Sequence, residues 1–287
     1  MKHMATALTT PRIVISDDCV GLSKEEYRVW KNLRIEAMRV ATNEKCLSRL
    51  IDETILTHND FSSALAVLLS RKLGNGAVST NELEELVLTA TDHDPGILRK
   101  TFLDLRAIVE RDPAADDYLT PFLYFKGFHA LQWQRISHWL WQRGRFAFAR
   151  FLQSRASEVF AVDIHPAVPI GHGVFIDHAT GLVVGETAVI GNDVSILQGV
   201  TLGGTGKENG DRHPKVRDGV LLAAGAKVLG NIEIGFRAKV GAGSVVLKNV
   251  PACATVAGVP ARIVGWCRDT VPALAMDQSF PEPDYSI

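Results

Sequence analysis

The sequence predicts an α+β chain in which an all-helical N-terminal domain is followed by a left-handed parallel β-helix of hexapeptide repeats. Two observations predict it. Up to about residue 160, apolar residues recur at the spacing of amphipathic helices; from Ile164 onward they recur every six residues instead. A helix cannot give a strict period of six and a sandwich would alternate at two, whereas a coil of three short strands and three turns gives six directly. The period fixes no chirality, and the left hand is that of hexapeptide coils as a class. The expected bounds are 22–160 for the helical domain, 161–265 for the β-helix with a loop extruded at 203–215, and 266–287 for a flexible tail.

In the helical half, Trp30, Leu33, Ala37, Met38 and Ala41 form one stripe, and Phe61, Leu65, Leu68 and Leu69 a second. Leu83, Leu86, Val87 and Ala90 form a third, for which Thr80 is the expected N-cap. Leu98, Phe102, Leu105 and Val109 form a fourth. Gly74-Asn75-Gly76 and Asp94-Pro95-Gly96 read as breaks between helices. The stretch from Tyr124 to Phe151 is rich in Arg and aromatics, as single-strand nucleic-acid surfaces are. The helical spacing of Phe128, Leu131, Ile136 and Trp139 makes it a packing seam instead.

In the second half, Ile164, Ile170 and Ile176 lead the first hexads. Two residues are then inserted, and Val184, Ile190, Ile196 and Leu202 continue. After an irregular stretch, Val216, Leu222, Val228, Ile234, Val240 and Val246 resume the count. These thirteen leads make a little over four coils and are expected to point into a narrow core. Glycine follows the lead at Gly171, Gly185, Gly191, Gly203, Gly235 and Gly241, where turns with positive φ are expected.

Composition narrows the function. Of 287 residues, 46% are hydrophobic and 22% charged, the profile of a globular protein with a core. The net charge of −1 gives no bulk attraction to a polyanion, which argues against nucleic acid. No apolar run approaches the roughly 18 residues of a membrane helix. The start, MKHMATALTTPR, has no apolar signal region, and this points to the cytoplasm. Cys19, Cys46, Cys253 and Cys267 form no C-x-x-C pair and are expected to be four reduced thiols.

A solenoid is regular by default, so its interruptions mark candidate sites. The first follows Asp177-His178. A histidine beside a carboxylate is the usual arrangement of a general base. No Cys or Ser in a nucleophile-elbow setting accompanies the pair, which favours direct transfer over a covalent intermediate. The second is the glycine-rich run from Gly203, ending in Arg212-His213-Pro214, two cation-capable groups before a rigid residue. His165, His172 and His178 lie on nearby hexads, a spacing that could hold zinc; a step of six, however, puts them on successive faces of the coil, so they do not stack. Asp163 alone reads as a cap on the first coil.

The stretches DIHP (163–166), DHATG (177–181), VVGETAVIG (183–191), TLGGTGKENGDRHPK (201–215), LGNIEIG (229–235) and VAGVPARIVG (256–265), with RDPA (111–114) and KGFHALQ (126–132), resemble the serine O-acetyltransferase family over about residues 25–267. The resemblance implies acetyl transfer from acetyl-CoA, a co-substrate and not a resident cofactor, to the hydroxyl of L-serine, with no metal. It implies His178 as base with Asp163 as its partner, and Asp112, Asp177, Arg212, His213 and Glu186 as the serine site. Gly204, Ala224 and Ala242 match positions along the pantetheine arm, and Lys248 is an added candidate for a CoA phosphate. It further implies feedback inhibition by L-cysteine and a homotrimer or a hexamer of paired trimers. O-acetylserine sulfhydrylase is an implied partner, held through the C-terminal Ile287.

The residue types suit this chemistry. Arg212 can grip a carboxylate in a fork, and Asp112 and Asp177 can pair an ammonium. The backbone amides of Gly203-Gly204 are candidate oxyanion donors. Two rivals share the repeat: a zinc hydratase of the γ-carbonic-anhydrase type, and a non-catalytic scaffold docking a sulfhydrylase by its tail. Metal analysis separates the first, and serine-dependent thiol release from acetyl-CoA the second.

Overall fold

The computed structural model describes residues 22–206, 209–267 and 270–279. In its first half, α1 (Lys24–Asn43), α2 (Lys45–Ile51), α3 (Phe61–Leu73), α4 (Thr80–His93), α5 (Pro95–Arg111), α6 (Leu119–Tyr124), α7 (Lys126–Gln142) and α8 (Phe146–Phe160) follow in chain order. The cap of α4 lies one residue before the expected Thr80. Ser79 has the extended backbone an N-cap needs and closes a capping box with Glu82, so Thr80 is already helical. On α5 the buried face differs from the expected stripe: Ile97, Thr101, Phe102, Asp104, Leu105 and Ile108 are buried, while Leu98 and Val109 are only half-buried. A carboxylate can occupy that face because Arg135 of α7 donates to it at 2.7 Å and Gln132 at 3.1 Å. α7 is the central helix, with Phe128, Leu131, Trp133, Ile136 and Trp139 buried.

The second half is a parallel β-helix with three faces. The first carries β1 (Val162–Ile164), β3 (Leu182–Val184), β6 (Thr201–Gly203), β9 (Lys227–Leu229) and β12 (Val245–Val246). The second carries β4 (Val189–Ile190), β7 (Lys215–Val216) and β10 (Glu233–Ile234), extended by single bridges at Ile170 and Val250. The third carries β2 (Phe175–Ile176), β5 (Ser195–Ile196), β8 (Leu221–Leu222), β11 (Lys239–Val240) and β13 (Ala254–Gly258), closed by antiparallel β14 (Ala261–Trp266). Register stacks the leads directly: Ile164 on Val184, Leu202, Val228 and Val246; Ile176 on Ile196, Leu222, Val240 and Val256. The stack runs past Val246 to Val250 and Val256, so it is longer than the thirteen leads imply.

The glycines that follow the leads are required for a different reason from the one expected. None of Gly171, Gly185, Gly191 or Gly235 has positive φ. At Gly171, Gly191 and Gly235 a Cβ would instead meet the coil beneath, at 2.5 Å from Gly191 O for Gly171 and at 2.5 Å from Ala252 N for Gly235.

The open top of the coil is sealed by the helical domain. Its outermost carbonyls have no strand above them, and unpaired carbonyls are costly when buried. Side chains of α5 and α7 supply the donors: His138 to Pro166, Gln134 to Val168, Lys100 to Ile170, and Arg135 to Ile170 and Gly171. The start of α7 lies flush on β2, where a Cβ on Gly127 would sit 2.0 Å from Ile176 O.

Two expectations are corrected at the C-terminal end. Cys253 and Cys267 are joined by a disulfide, because the β13–β14 hairpin folds residues fourteen apart in sequence to a Cα separation of 4.9 Å. Cys46 is a free, exposed thiol, and Cys19 lies outside the described residues. The segment expected to be flexible is packed over 270–279. Pro272–Ala275 forms α9, Ala273 is buried, and Ser195 Oγ donates to Ala273 O at 2.8 Å. Lys239 Nζ donates to the carbonyls of Asp277 and Ser279. Ile287 lies outside the described residues.

Candidate active site

The two interruptions of the repeat fall at two different corners of the coil. The first lies where the third face turns into the first, between β2 and β3. Its two extra residues are taken up by consecutive left-handed residues, His178 at φ +52° and Ala179 at φ +60°. Such a conformation costs a non-glycine residue about 1–2 kcal/mol. Here Ala179 is fully buried as a plug, and His178 is thrown outward with 74% of its side chain exposed. Lys126 of α7 holds the turn through Thr180 Oγ1.

Asp177 and His178 face one another at 3.8 Å, in ion-pair reach and beyond a hydrogen bond. Burial pushes the Asp177 carboxyl above the ordinary aspartate range; the charge of His178 opposes this and the Asp112 carboxylate adds to it. Asp112 arrives from the end of α5, where its Oδ1 accepts from Ala114 N at 2.8 Å. The fold therefore brings Asp112, Asp177 and His178 together. It does not join Asp163 to His178: among the described residues Asp163 accepts from Gln153 Nε2 at 2.7 Å, and no hydrogen bond links it to the imidazole.

The second interruption lies where the first face turns into the second. The extruded loop folds back onto the coil above its point of departure. Arg212 donates to Glu186 at 3.0 Å and to Gly210 O at 3.0 Å. The His213 ring lies on Gly185, where a Cβ would meet Nε2 at 2.0 Å. Burial and the Arg212 charge lower the His213 pKa against the pull of Glu186, so the ring is held toward its neutral form. The Arg212 hydrogen bond holds Glu186 below its ordinary range. His165, from the coil above, joins this corner, packed edge-on against Trp141 at 4.8 Å. His172 and His178 belong to the other two corners, so the three histidines do not converge.

Gly204 sits under Arg212, with its Cβ position 3.5 Å from Arg212 Cγ. Lys248, on the same corner, is exposed. Ala224 and Ala242 lie instead below His178. There Gly181, Gly199, Gly225 and Gly243 stack, all with φ between +66° and +79°. Cβ positions on the upper three meet only the glycine beneath, at 3.5–3.9 Å. The column is a strip of glycines running from the imidazole down the coil, with Gln198 beside Gly199 and Lys227 Nζ donating to Gly199 O.

Strand β3 separates the corners, a span of roughly 10 Å at about 3.3 Å per residue. Within one chain, His178 and Arg212 do not meet. Two residues missed from sequence complete the second corner. Gly185 reads as an ordinary turn glycine, and Thr187, inside the VVGETA stretch, carries no signal until the loop folds back onto it.

Residues 29–133 match the family described as serine acetyltransferase, N-terminal. A serine acetyltransferase of Escherichia coli K12 is 55% identical over 260 residues, covering 90% of this chain and 95% of that protein. A solved serine acetyltransferase in complex with cysteine superposes with a TM-score of 0.88 at 53% identity, covering 89% of this chain and all of that one. The serine acetyltransferase of Brucella abortus S19 in complex with coenzyme A gives 0.83 at 50% identity, covering 85% and 97%.

Proposed function

The chain belongs to the serine acetyltransferase family, and from that premise we propose how its residues carry acetyl from acetyl-CoA to the hydroxyl of L-serine, giving O-acetyl-L-serine and CoA. The observation that carries the proposal is the division of the chemistry between two corners of one coil. His178 supplies a base, and Asp112 with Asp177 supplies paired anions for the serine ammonium. Arg212 and His213 supply donors for its carboxylate, with Glu186 fixing the Arg212 fork. Neither corner is sufficient alone. The site is therefore composed between copies, the His178 corner of one chain facing the Arg212 corner of the next, in a trimer that can pair into a hexamer.

In the reaction, His178 takes the proton as the serine oxygen attacks the thioester carbon. The tetrahedral oxyanion collapses, the C–S bond breaks, and the CoA sulfur leaves with the proton from the imidazole. Backbone amides at Gly203-Gly204 are the oxyanion donors. Asp163 acts on the imidazole only if the assembled site draws the two together. The glycine strip beneath His178, flanked by Ala224 and Ala242, suits a slender pantetheine arm, with Gly204 and Lys248 facing it from the neighbouring copy. L-Cysteine matches serine in size and charge and fits the same place as an inhibitor. Ile287 is the contact for O-acetylserine sulfhydrylase. Among the described residues no helix is long and apolar enough to cross a membrane, and the chemistry belongs in the cytoplasm.

The test is complementation. His178→Ala alone lowers kcat by at least about 10²-fold with an intact circular-dichroism spectrum. Arg212→Ala is similarly impaired at fixed serine. Co-refolding the two variants in equal amounts restores about a quarter of the wild-type sites if each site draws one residue from each of two copies. No recovery on mixing would place both residues within one chain and overturn the composite site.

A further inference from the structure

We propose that Thr187 is the positioning residue of the Arg212–His213 pair, tying both backbone amides to the coil and fixing the His213 tautomer so that Nε2–H is the ring's one donor. The inference rests on the reading of His213 as a serine contact and adds the residue that sets its hydrogen-bonding role.

The hydrogen bonds leave little freedom. Thr187 Oγ1 accepts from Arg212 N and from His213 N, each at 3.0 Å. Those two donors fill its acceptor capacity, so the hydroxyl has only its proton left to give. His213 Nδ1 lies 2.9 Å from Oγ1, and the Asp211 carboxylate is the other acceptor in reach of that proton. The backbone amide of Thr187 has no such choice. It donates to His213 Nδ1 at 3.2 Å, so Nδ1 is an acceptor whichever way the hydroxyl turns. A neutral imidazole with Nδ1 as acceptor carries its proton on Nε2. Among the described residues no hydrogen bond uses Nε2, and Gly185 is the one residue type that leaves room for it.

The surroundings favour the neutral ring. Arg212, Lys215 and His165 face His213 and oppose a further positive charge, against Glu186 alone. A second base is thereby excluded from the pocket: the ring can donate to a substrate carboxylate but has no free lone pair with which to take a proton. One threonine thus couples the loop's placement to the chemical identity of the histidine it carries.

The experiment uses the full-length oligomer. With ¹⁵N-labelled histidine, and His213 assigned by the signal lost in His213→Gln, the wild-type ring gives the neutral Nε2–H pattern at pH 7. An Nδ1–H or imidazolium pattern there overturns the tautomer assignment. In kinetics, Thr187→Val raises the KM for serine at least tenfold while the KM for acetyl-CoA changes less than twofold, and Thr187→Ser, which keeps the hydroxyl, returns serine KM to within about threefold of wild type. An unchanged serine KM in Thr187→Val, or no rescue by Thr187→Ser, overturns the positioning role. If Thr187→Val does not fold, the spectrum of the wild type and the near-normal kinetics of Thr187→Ser still decide the matter. The two failures separate cleanly: an unchanged serine KM in His213→Gln overturns the site reading, whatever the spectrum of the ring.

Discussion

At the scale of single residues, the histidines divide by environment. His178 is thrown into solvent by two left-handed residues, and His213 is half of a hydrogen-bonded pair on a glycine. His129 is buried in α7, donating from Nε2 to Phe122 O at 2.7 Å, and burial drives its pKa down to about 4. This last has a consequence for stability. Between about pH 6.5 and 4 the unfolded chain binds a proton that folded His129 refuses. The stability it secures is complete above 6.5 and is lost as pH falls toward 4, by about 3 kcal/mol per chain at the lower limit. Urea midpoints measured from pH 7 to 4.5 should fall steeply in the wild type, and the slope should be clearly shallower in His129→Gln.

At the scale of elements, the join between the helices and the coil sets a polar cluster into a continuous apolar core. Asp104 accepts from Arg135, Gln132 and Val174 N with no exposed surface of its own. Asp104→Ala leaves the Arg135 cation buried without its counter-ion and should lower unfolding stability by about 3–5 kcal/mol, read by denaturant titration. This same cluster shows what could not be read in advance. The stripes of α1, α3 and α4 were legible because apolar burial follows the helical period, and the leads of the coil because six is a period no other element gives. On α5 the buried face carries Thr101 and Asp104, which hydropathy assigns to solvent, since their partners lie on α7 and the first coil. The interruptions after His178 and at 203–215 were legible as breaks in the repeat; that the returning loop lays the His213 ring on Gly185 was not, because the fold-back of an extruded loop follows no period. Thr187 and the Cys253–Cys267 pair depend on the loop and the hairpin folding back, which no local pattern encodes.

At the scale of the whole molecule, the lower part of the strip beneath His178 is open because its corner residues, Ala223-Ala224-Gly225 and Gly241-Ala242-Gly243, are glycine or alanine. Ala242→Leu places a branched side chain on it and should raise the KM for acetyl-CoA at least tenfold. Serine binding, measured by calorimetry, should stay within about twofold, since the residues proposed for it lie higher on the coil. The stacked coil has a further consequence. Each full turn adds about 4.8 Å along the axis. On the proposed reading, the amino-acid end draws on the upper turns and on the loop that folds up to meet them, and the turns beneath would serve as a gauge for the acyl carrier. A whole turn added or removed near the bottom would then change how much of a long thioester is gripped and leave the summit as it was.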